Sequence, residues 1–264
     1  MPIENIYSID FFYDLLYVMF IVGAVVFVSL YFVDAGYGKM RSEKWGPALD
    51  NKVGWLLMEC PVFFVMLYLY FKSFPLYGGV TKNAPYWLFF LLFEFHYFQR
   101  SFVFPFLLKG KSKMPLVIML LSVVWNLING YIQGYWLFHL APQHYPQLYT
   151  TDWVTTPQFI IGTIIFLTGW IINMHSDHVI RHLRQPGDTN HYLPKKGLYK
   201  YVTSANYFGE ITEKSRSGSA LRSSPGRSQV CCSSGSAAAT SYRAAMRSTR
   251  STRRSSQMSS TARN

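Results

Sequence analysis

Ionisable side chains inside apolar stretches are the first candidates for chemistry in this sequence. Glu59, Glu94 and Arg100 each interrupt a run of apolar residues, and Tyr97 lies three residues before Arg100, on the same face of a helix. A charged group in hydrocarbon is costly, so it usually faces a protein-lined cavity or marks a functional site. A structural ion pair is the alternative, and the sequence leaves both explanations open for Glu94 and for Asp14.

A polar, basic and aromatic segment extends from Asn173 to Glu210. Its Arg181 and Arg184 carry planar guanidinium groups that pair well with phosphate. Composition leaves two interpretations open, because the segment could hold the phosphates of a soluble cofactor or the headgroups of anionic lipids. The short HSDH motif within it is not accompanied by further ligands at metal-binding spacing, so no metal site is predicted.

The elements that must position these residues are helices that cross a membrane. With 50% hydrophobic and 14% charged residues among 264, the chain is too apolar for an ordinary soluble domain. A helical span takes about 20 apolar residues. Runs of about that length are Phe11–Val33, Val53–Phe71, Ala84–Leu108, Leu116–Leu140 and Pro157–Asn173. The sequence therefore predicts an all-α, polytopic membrane helix bundle.

Lysine and arginine are distributed unevenly among the connecting segments. Twelve of them lie in the first loop, the third loop and the segment after the fifth run, against two in the second loop. Because basic residues collect on the cytoplasmic side, the N-terminus is predicted to lie outside. This orientation places Glu59, Tyr97 and Arg100 in the cytoplasmic half of the bundle, where a soluble cofactor could reach them.

Most of the formal net charge of +12 belongs to the end of the chain. Residues 214–264 contain nine Arg, one Lys and no acidic residue, so they carry +10. They also contain 16 Ser and no apolar run that could cross a membrane. We therefore predict a membrane-embedded domain at 1–213 and a disordered, basic Ser/Arg-rich tail at 214–264, and no nucleic-acid partner.

Three blocks of the sequence resemble the steroid 5α-reductase family. NMHSDHVIRHLRQPG, at 173–187, is similar to the family's NxHSDxxLRxLRxPG, and the likeness continues through YVTSANYFGEITE at 201–213. HYFQRSFVF, at His96–Phe104, resembles HYFHRTFVY, and Glu59-Cys60-Pro61 is similar to the end of Gln-Glu-Leu-Pro. The resemblance implies a seven-helix membrane fold, of which five spans are present here. It also implies NADPH-dependent reduction of the carbon–carbon double bond conjugated to a steroid 3-ketone, a reaction of steroid and lipid metabolism.

The resemblance also implies roles for individual residues. Glu59 and Tyr97 correspond to the catalytic pair that hydrogen-bonds the ketone oxygen, and Arg100 is expected to support the substrate pocket. The positions expected to contact the cofactor are Lys111, Asn173, Asp177, Arg184, Asn206 and Glu210. Negative charge develops on the ketone oxygen during hydride transfer, and preorganised donors stabilise it. Tyr97 can donate directly, whereas Glu59 must first be protonated, which burial in an apolar span would favour.

Some features depart from the family pattern. Met58 replaces a Gln, and Lys196 replaces the first Gly of a Gly-Gly pair. Family chains continue with further spans where this chain has its basic tail, and a frameshift or a mispredicted exon is the expected origin of that tail. The alternative functions are a related membrane reductase of enoyl-CoA or polyprenol, and a catalytically inactive, truncated membrane protein.

The predicted partners are a hydrophobic, steroid-like substrate and the lipid bilayer. The predicted location is the endoplasmic reticulum in a eukaryote or the inner membrane in a bacterium.

Overall fold

Helices account for nearly all of the regular structure in the computed structural model, which describes residues 8–29, 32, 46–77, 80–109, 112–183, 192, 194–202, 205–210 and 212. Lys111, Arg184 and the predicted tail lie outside the described residues. The α-helices are α1 Ile9–Ser29, α2 Asn51–Leu76, α3 Ala84–Phe98, α4 Phe104–Leu107, α5 Leu116–Tyr135, α6 Ala141–His144 and α7 Pro157–Arg181. The predicted all-α fold is confirmed.

Among the residues that the structure describes, four helical segments are long and apolar enough to cross a membrane: Ile9–Val26, Asn51–Leu76, Leu116–His144 and Pro157–Arg181. The chain is therefore a polytopic membrane protein. The remaining predicted span forms α3 and α4, which are joined by a π-helical turn at Gln99–Val103. The last span continues past its predicted end at Asn173, because polar residues on one face of α7 are buried against the protein instead of facing solvent.

The described part of the chain contains two π-helical turns, and each ends two residues before a proline. In the first, at Gln99–Val103, the N–H of Phe104 donates to the carbonyl of Gln99. In the second, at Trp136–Leu140, the N–H of Ala141 donates to the carbonyl of Trp136. Pro105 and Pro142 provide no N–H, and each ring crowds the carbonyl four residues earlier, so a wider preceding turn relieves the clash.

A short antiparallel ribbon joins the first and third loops. Its strands are β1 Ala48–Asp50 and β2 Lys113–Pro115, with Asp50 opposite Lys113. Asp50 also caps α2, because its carboxylate accepts the N–H of Lys52 at 2.8 Å. The ribbon places the described ends of the first and third loops at one end of the bundle, and we call this end the basic end because Lys52 and Lys113 lie there.

The core lies mainly in the half of the bundle away from the basic end, and it is rich in aromatic side chains. Tyr70 of α2 stacks on Phe90 of α3 with ring centroids 4.1 Å apart, and Phe138 packs against both rings. Gly130 and Gly134 let α5 approach α2 closely, since small residues four apart allow helix backbones to come together in a membrane. This close approach sets the position of the polar side chains on α5.

Candidate active site

Tyr97 is buried in α3, where it contacts the polar side chain of Asn129 on α5. Only 7% of Tyr97 is exposed. The Asn129 side-chain amide donates from Nδ2 to the Tyr97 hydroxyl oxygen at 3.2 Å. Gln133 in turn donates from Nε2 to Asn129 Oδ1 at 2.9 Å. The catalytic position predicted for Tyr97 therefore lies against a short series of amides on α5.

Glu59 of α2 faces the same surface of α5. Its Oε2 atom lies 3.4 Å from Asn126 Nδ2, which donates to it and also to the Met58 carbonyl at 2.6 Å. Asn126 is three residues before Asn129, so the two amides share one helix face. The structure thus brings the predicted pair, Glu59 and Tyr97, to neighbouring positions along α5.

Sequence reasoning missed the three amide residues of α5, Asn126, Asn129 and Gln133. These residues carry no charge, whereas the predicted site residues inside the apolar runs were mainly charged ones. A signal was present, because spacings of three and four residues place all three amides on one face of a helix that is otherwise apolar. Such a polar stripe inside a membrane span indicates a buried polar interface.

Arg100 connects α3 to α7 at the basic end. One guanidinium nitrogen lies 3.5 Å from Asp177 Oδ2, and both side chains are buried. The guanidinium carbon also lies 5.0 Å from the Trp55 ring centroid and 4.6 Å from that of Phe104, within cation–π range. Arg100 was expected to support the substrate pocket, and the structure places it against a residue predicted to contact the cofactor.

The segment after α7 folds back onto that helix. Asn173 donates from Nδ2 to the Asn206 carbonyl at 3.0 Å, and the Tyr199 hydroxyl donates to Asn206 Oδ1 at 3.1 Å. Burial raises the pKa of Tyr199, so its hydroxyl keeps the proton that it donates. A β-carbon at Gly209 would lie 2.6 Å from the Asn173 backbone nitrogen, so the helical residues 205–210 pack directly on the backbone of α7.

This docking brings together the predicted cofactor residues that the structure describes. Asn173 and Asp177 lie one turn apart on α7, and Asn206 bonds Asn173. Glu210 is close enough to Asp177 for the two carboxylates to repel each other. Two further predicted positions, Lys111 and Arg184, are outside the described residues.

Several buried polar atoms near this cluster have no hydrogen-bond partner among the described residues. They are Ser101 Oγ, the Gln99 side-chain amide, Ser176 Oγ and one terminal nitrogen of Arg181. Leaving a buried polar group unpaired costs about 1–3 kcal/mol. The junction between the first π-helical turn and α7 is therefore suited to a polar ligand. A nicotinamide dinucleotide fits this donor set, because it offers an amide, ribose hydroxyls and phosphates.

Two acidic residues that the sequence left open, Asp14 and Glu94, take part in none of the contacts described above. Asp14 is exposed on α1. Glu94 is buried, and neither of its carboxyl oxygens has a hydrogen-bond partner in the described part of the chain. The same part of the chain contains no group of three or more His, Cys, Asp or Glu side chains that could hold a metal ion.

Comparison with known proteins identifies the family. Residues 112–223 match the family model described as 3-oxo-5-alpha-steroid 4-dehydrogenase, so the predicted domain boundary at residue 213 falls inside the match. The 3-oxo-5-alpha-steroid 4-dehydrogenase 1 of Homo sapiens is 38% identical over 200 residues, which are 75% of this chain and 73% of the human protein. The steroid 5-alpha-reductase DET2 of Arabidopsis thaliana is 32% identical over 216 residues, 80% of this chain and 79% of the plant protein. The chain therefore belongs to the 3-oxo-5-alpha-steroid 4-dehydrogenase family, as its three sequence blocks predicted.

Proposed function

We propose that this protein uses NADPH to reduce the conjugated carbon–carbon double bond of a 3-keto steroid or sterol. The observation that carries the proposal is the placement of Glu59 and Tyr97 against one polar face of α5. The names of the relatives, steroid dehydrogenase and steroid reductase, support a steroid as the substrate class. In a eukaryotic cell the membrane of the endoplasmic reticulum is the proposed location.

Residues at the basic end would hold the cofactor. Asn173 and Asn206 offer amides, and the buried Ser101 and Ser176 hydroxyls have no partner among the described residues. NADPH, when bound, supplies the hydride. Arg100 follows Tyr97 by three residues and pairs with Asp177 of α7. It thereby holds the catalytic part of the site against the part that would bind the cofactor.

The catalytic residues act on the ketone end of the substrate. As the β-carbon of the enone gains hydride, the electron pair of the double bond moves toward the ketone oxygen. The Tyr97 hydroxyl donates to that oxygen, and Glu59 does so when it carries a proton. Donors aligned beforehand in a site that excludes water stabilise the developing charge most effectively. A proton delivered to the α-carbon then completes the reduction.

Steroid turnover by variants of the two catalytic residues tests this function. Purified membranes that contain the chain receive NADPH and a 3-keto-4-ene steroid, and the product is measured by mass spectrometry. Tyr97→Phe removes the donor and should lower kcat by about 10²-fold or more. Glu59→Gln should also lower kcat. The matched control, Tyr68→Phe, removes a phenol that is 57% exposed on α2 and should leave turnover unchanged.

Three outcomes would contradict the proposal. Equal turnover by all variants would show that Glu59 and Tyr97 are not the catalytic pair. Reduction of an enoyl-CoA or a polyprenol in place of the steroid would assign a different substrate class. Binding of the steroid and NADPH without turnover would favour a catalytically inactive membrane protein.

A further inference from the structure

We infer that Gln133 and Asn129 form a directed donor series that aims the Tyr97 proton at the substrate ketone. The inference rests on the proposed function, because it concerns how the ketone is recognised. It names Asn129 and Gln133 as positioning residues, which act through Tyr97 and do not touch the substrate.

The orientation of the Asn129 amide determines which of its two polar groups faces Tyr97. An asparagine side chain presents a carbonyl oxygen at one side and an NH2 group at the other. Gln133 Nε2 donates to Asn129 Oδ1 at 2.9 Å, so the carbonyl side is turned toward Gln133. The NH2 group is consequently turned toward Tyr97, and Nδ2 lies 3.2 Å from the phenol oxygen.

The direction of this bond shows which part of the Tyr97 hydroxyl the Asn129 amide uses. A phenol hydroxyl has one proton to donate and an oxygen that accepts. In the contact with Asn129 the Tyr97 oxygen accepts, so this contact does not use the phenol proton. If the Asn129 amide were reversed, its carbonyl would draw the same proton away from the ketone.

The series also favours transfer of charge from substrate to Tyr97. Hydrogen bonds that point the same way polarise one another in a medium of low dielectric constant. As the ketone oxygen gains negative charge and draws the Tyr97 proton, the phenol oxygen becomes a stronger acceptor for Asn129. The α5 amides therefore strengthen the donor at the moment when charge develops, which is the condition for catalysis by preorganised dipoles.

Asn129→Asp tests the direction of the series with little change in shape. An ionised carboxylate accepts only, so it would keep the bond from Gln133 but draw the Tyr97 proton toward itself. We expect kcat to fall by about tenfold or more while KM for the steroid changes little. Lower pH should restore part of the rate, since a protonated carboxyl can donate again. Ser122→Ala is the matched control, because Ser122 Oγ donates to the Ile118 carbonyl of its own helix.

Infrared spectroscopy gives a readout that does not need turnover. The probe is a 3-keto-4-ene steroid carrying ¹³C at the ketone carbon, bound to the purified full chain. Donation from Tyr97 should lower the carbonyl stretching frequency relative to the same steroid in hydrocarbon. Asn129→Asp should raise the frequency toward the value found with Tyr97→Phe, and Ser122→Ala should not change it.

The outcomes separate this inference from the proposed function. A lowered frequency in the native chain that stays unchanged in Asn129→Asp would overturn the inference and leave the proposed function standing. A native frequency equal to that in hydrocarbon would overturn both. If Asn129→Asp does not fold, Gln133→Leu serves in its place, because it removes the group that orients Asn129 and should produce the same shift in smaller measure.

Discussion

Among single residues, Glu94 is a carboxyl buried in an apolar helix, and its burial affects the stability of the protein. It is 7% exposed, and its two oxygens have no hydrogen-bond partner among the described residues. Burying a polar group without a partner destabilises a protein by about 1–3 kcal/mol. The ion pair that the sequence left open is therefore not formed within the described residues, and Glu94 reduces the stability of the folded chain.

Replacing Glu94 with an apolar residue should therefore stabilise the protein. Glu94→Leu removes the desolvation cost and keeps a side chain of comparable size. We expect the free energy of unfolding in detergent to rise by about 1–3 kcal/mol. Thermal unfolding monitored by intrinsic fluorescence measures this change. Leu91→Ala, at an exposed position of the same helix, should change it much less. A loss of both stability and steroid turnover in Glu94→Leu would instead reveal a polar partner in the working protein.

Sequence reasoning found the residues of the site whose charge contrasts with their surroundings. Glu59 and Arg100 are conspicuous in apolar runs, and Tyr97 was identified through the resemblance to the family. Asn129 and Gln133 were missed, because they carry no charge and the candidates were chosen for charge within apolar runs. Their importance depends on which helix they face, and that is decided by packing between segments far apart in the chain.

At the scale of elements, the contact between α2 and α5 controls the geometry of the candidate site. Gly130 packs where a β-carbon would lie 3.0 Å from a methyl carbon of Val62 and 3.2 Å from its carbonyl oxygen. The carbonyl belongs to the backbone of α2 and cannot rotate away. A side chain larger than that of alanine at position 130 would therefore push apart the helices that carry Glu59 and Asn126.

A larger residue at position 130 should weaken both the fold and the catalysis. We expect Gly130→Val to lower the free energy of unfolding by about 1–3 kcal/mol, as overpacking of a core commonly does. Steroid turnover should fall as well, because the contact between Asn126 and Glu59 lengthens. Gly162→Val is the matched control, since nothing lies within 4 Å of a β-carbon there. If the two variants behaved alike, the close approach of α2 and α5 would not matter to the site.

The sequence correctly predicted which segments form helices, because hydropathy determines this. It did not predict where the helices end or widen, because packing between segments determines that. The apolar runs became helices because each buries its backbone hydrogen bonds inside itself. The extension of α7 beyond Asn173 was missed, since polar residues there are held in a helix by contacts with Arg100 and with residues 205–210. The π-helical turns were not predicted, although Pro105 and Pro142 were the signals for them.

Over the whole molecule, the basic residues and the ribbon agree on which loops lie together. The ribbon pairs the first and third loops, and the segment that follows α7 returns to the same end. The second loop and the loop before Pro157 lie at the other end, where α3 begins. With the positive-inside rule, this arrangement predicts that the basic end faces the cytoplasm.

Labelling of single cysteines should confirm this orientation. In a chain whose Cys60, Cys231 and Cys232 are changed to Ser, Lys113→Cys and Asp152→Cys place a thiol at opposite ends, both at exposed positions. In sealed microsomes, an impermeant maleimide should label Lys113→Cys at once and Asp152→Cys only after permeabilisation. The reverse pattern would invert the predicted orientation, and equal labelling would mean that the two loops are not on opposite sides.

The ribbon has a consequence for how accurately the catalytic side chains are aligned. β1 ends at Asp50 and β2 at Pro115, so α2 and α5 each begin at the next residue, from backbones already paired by hydrogen bonds. Because the strands are antiparallel, α2 and α5 leave the ribbon from its opposite ends. Glu59 follows Asp50 by nine residues, and Asn126 follows Pro115 by eleven. A slip of one residue in the strand pairing would shift the start of one helix relative to the other by about 3.3 Å, enough to break the hydrogen bond between the two side chains. A pairing of three residues outside the apolar core thereby helps to align side chains that lie several turns farther along both helices.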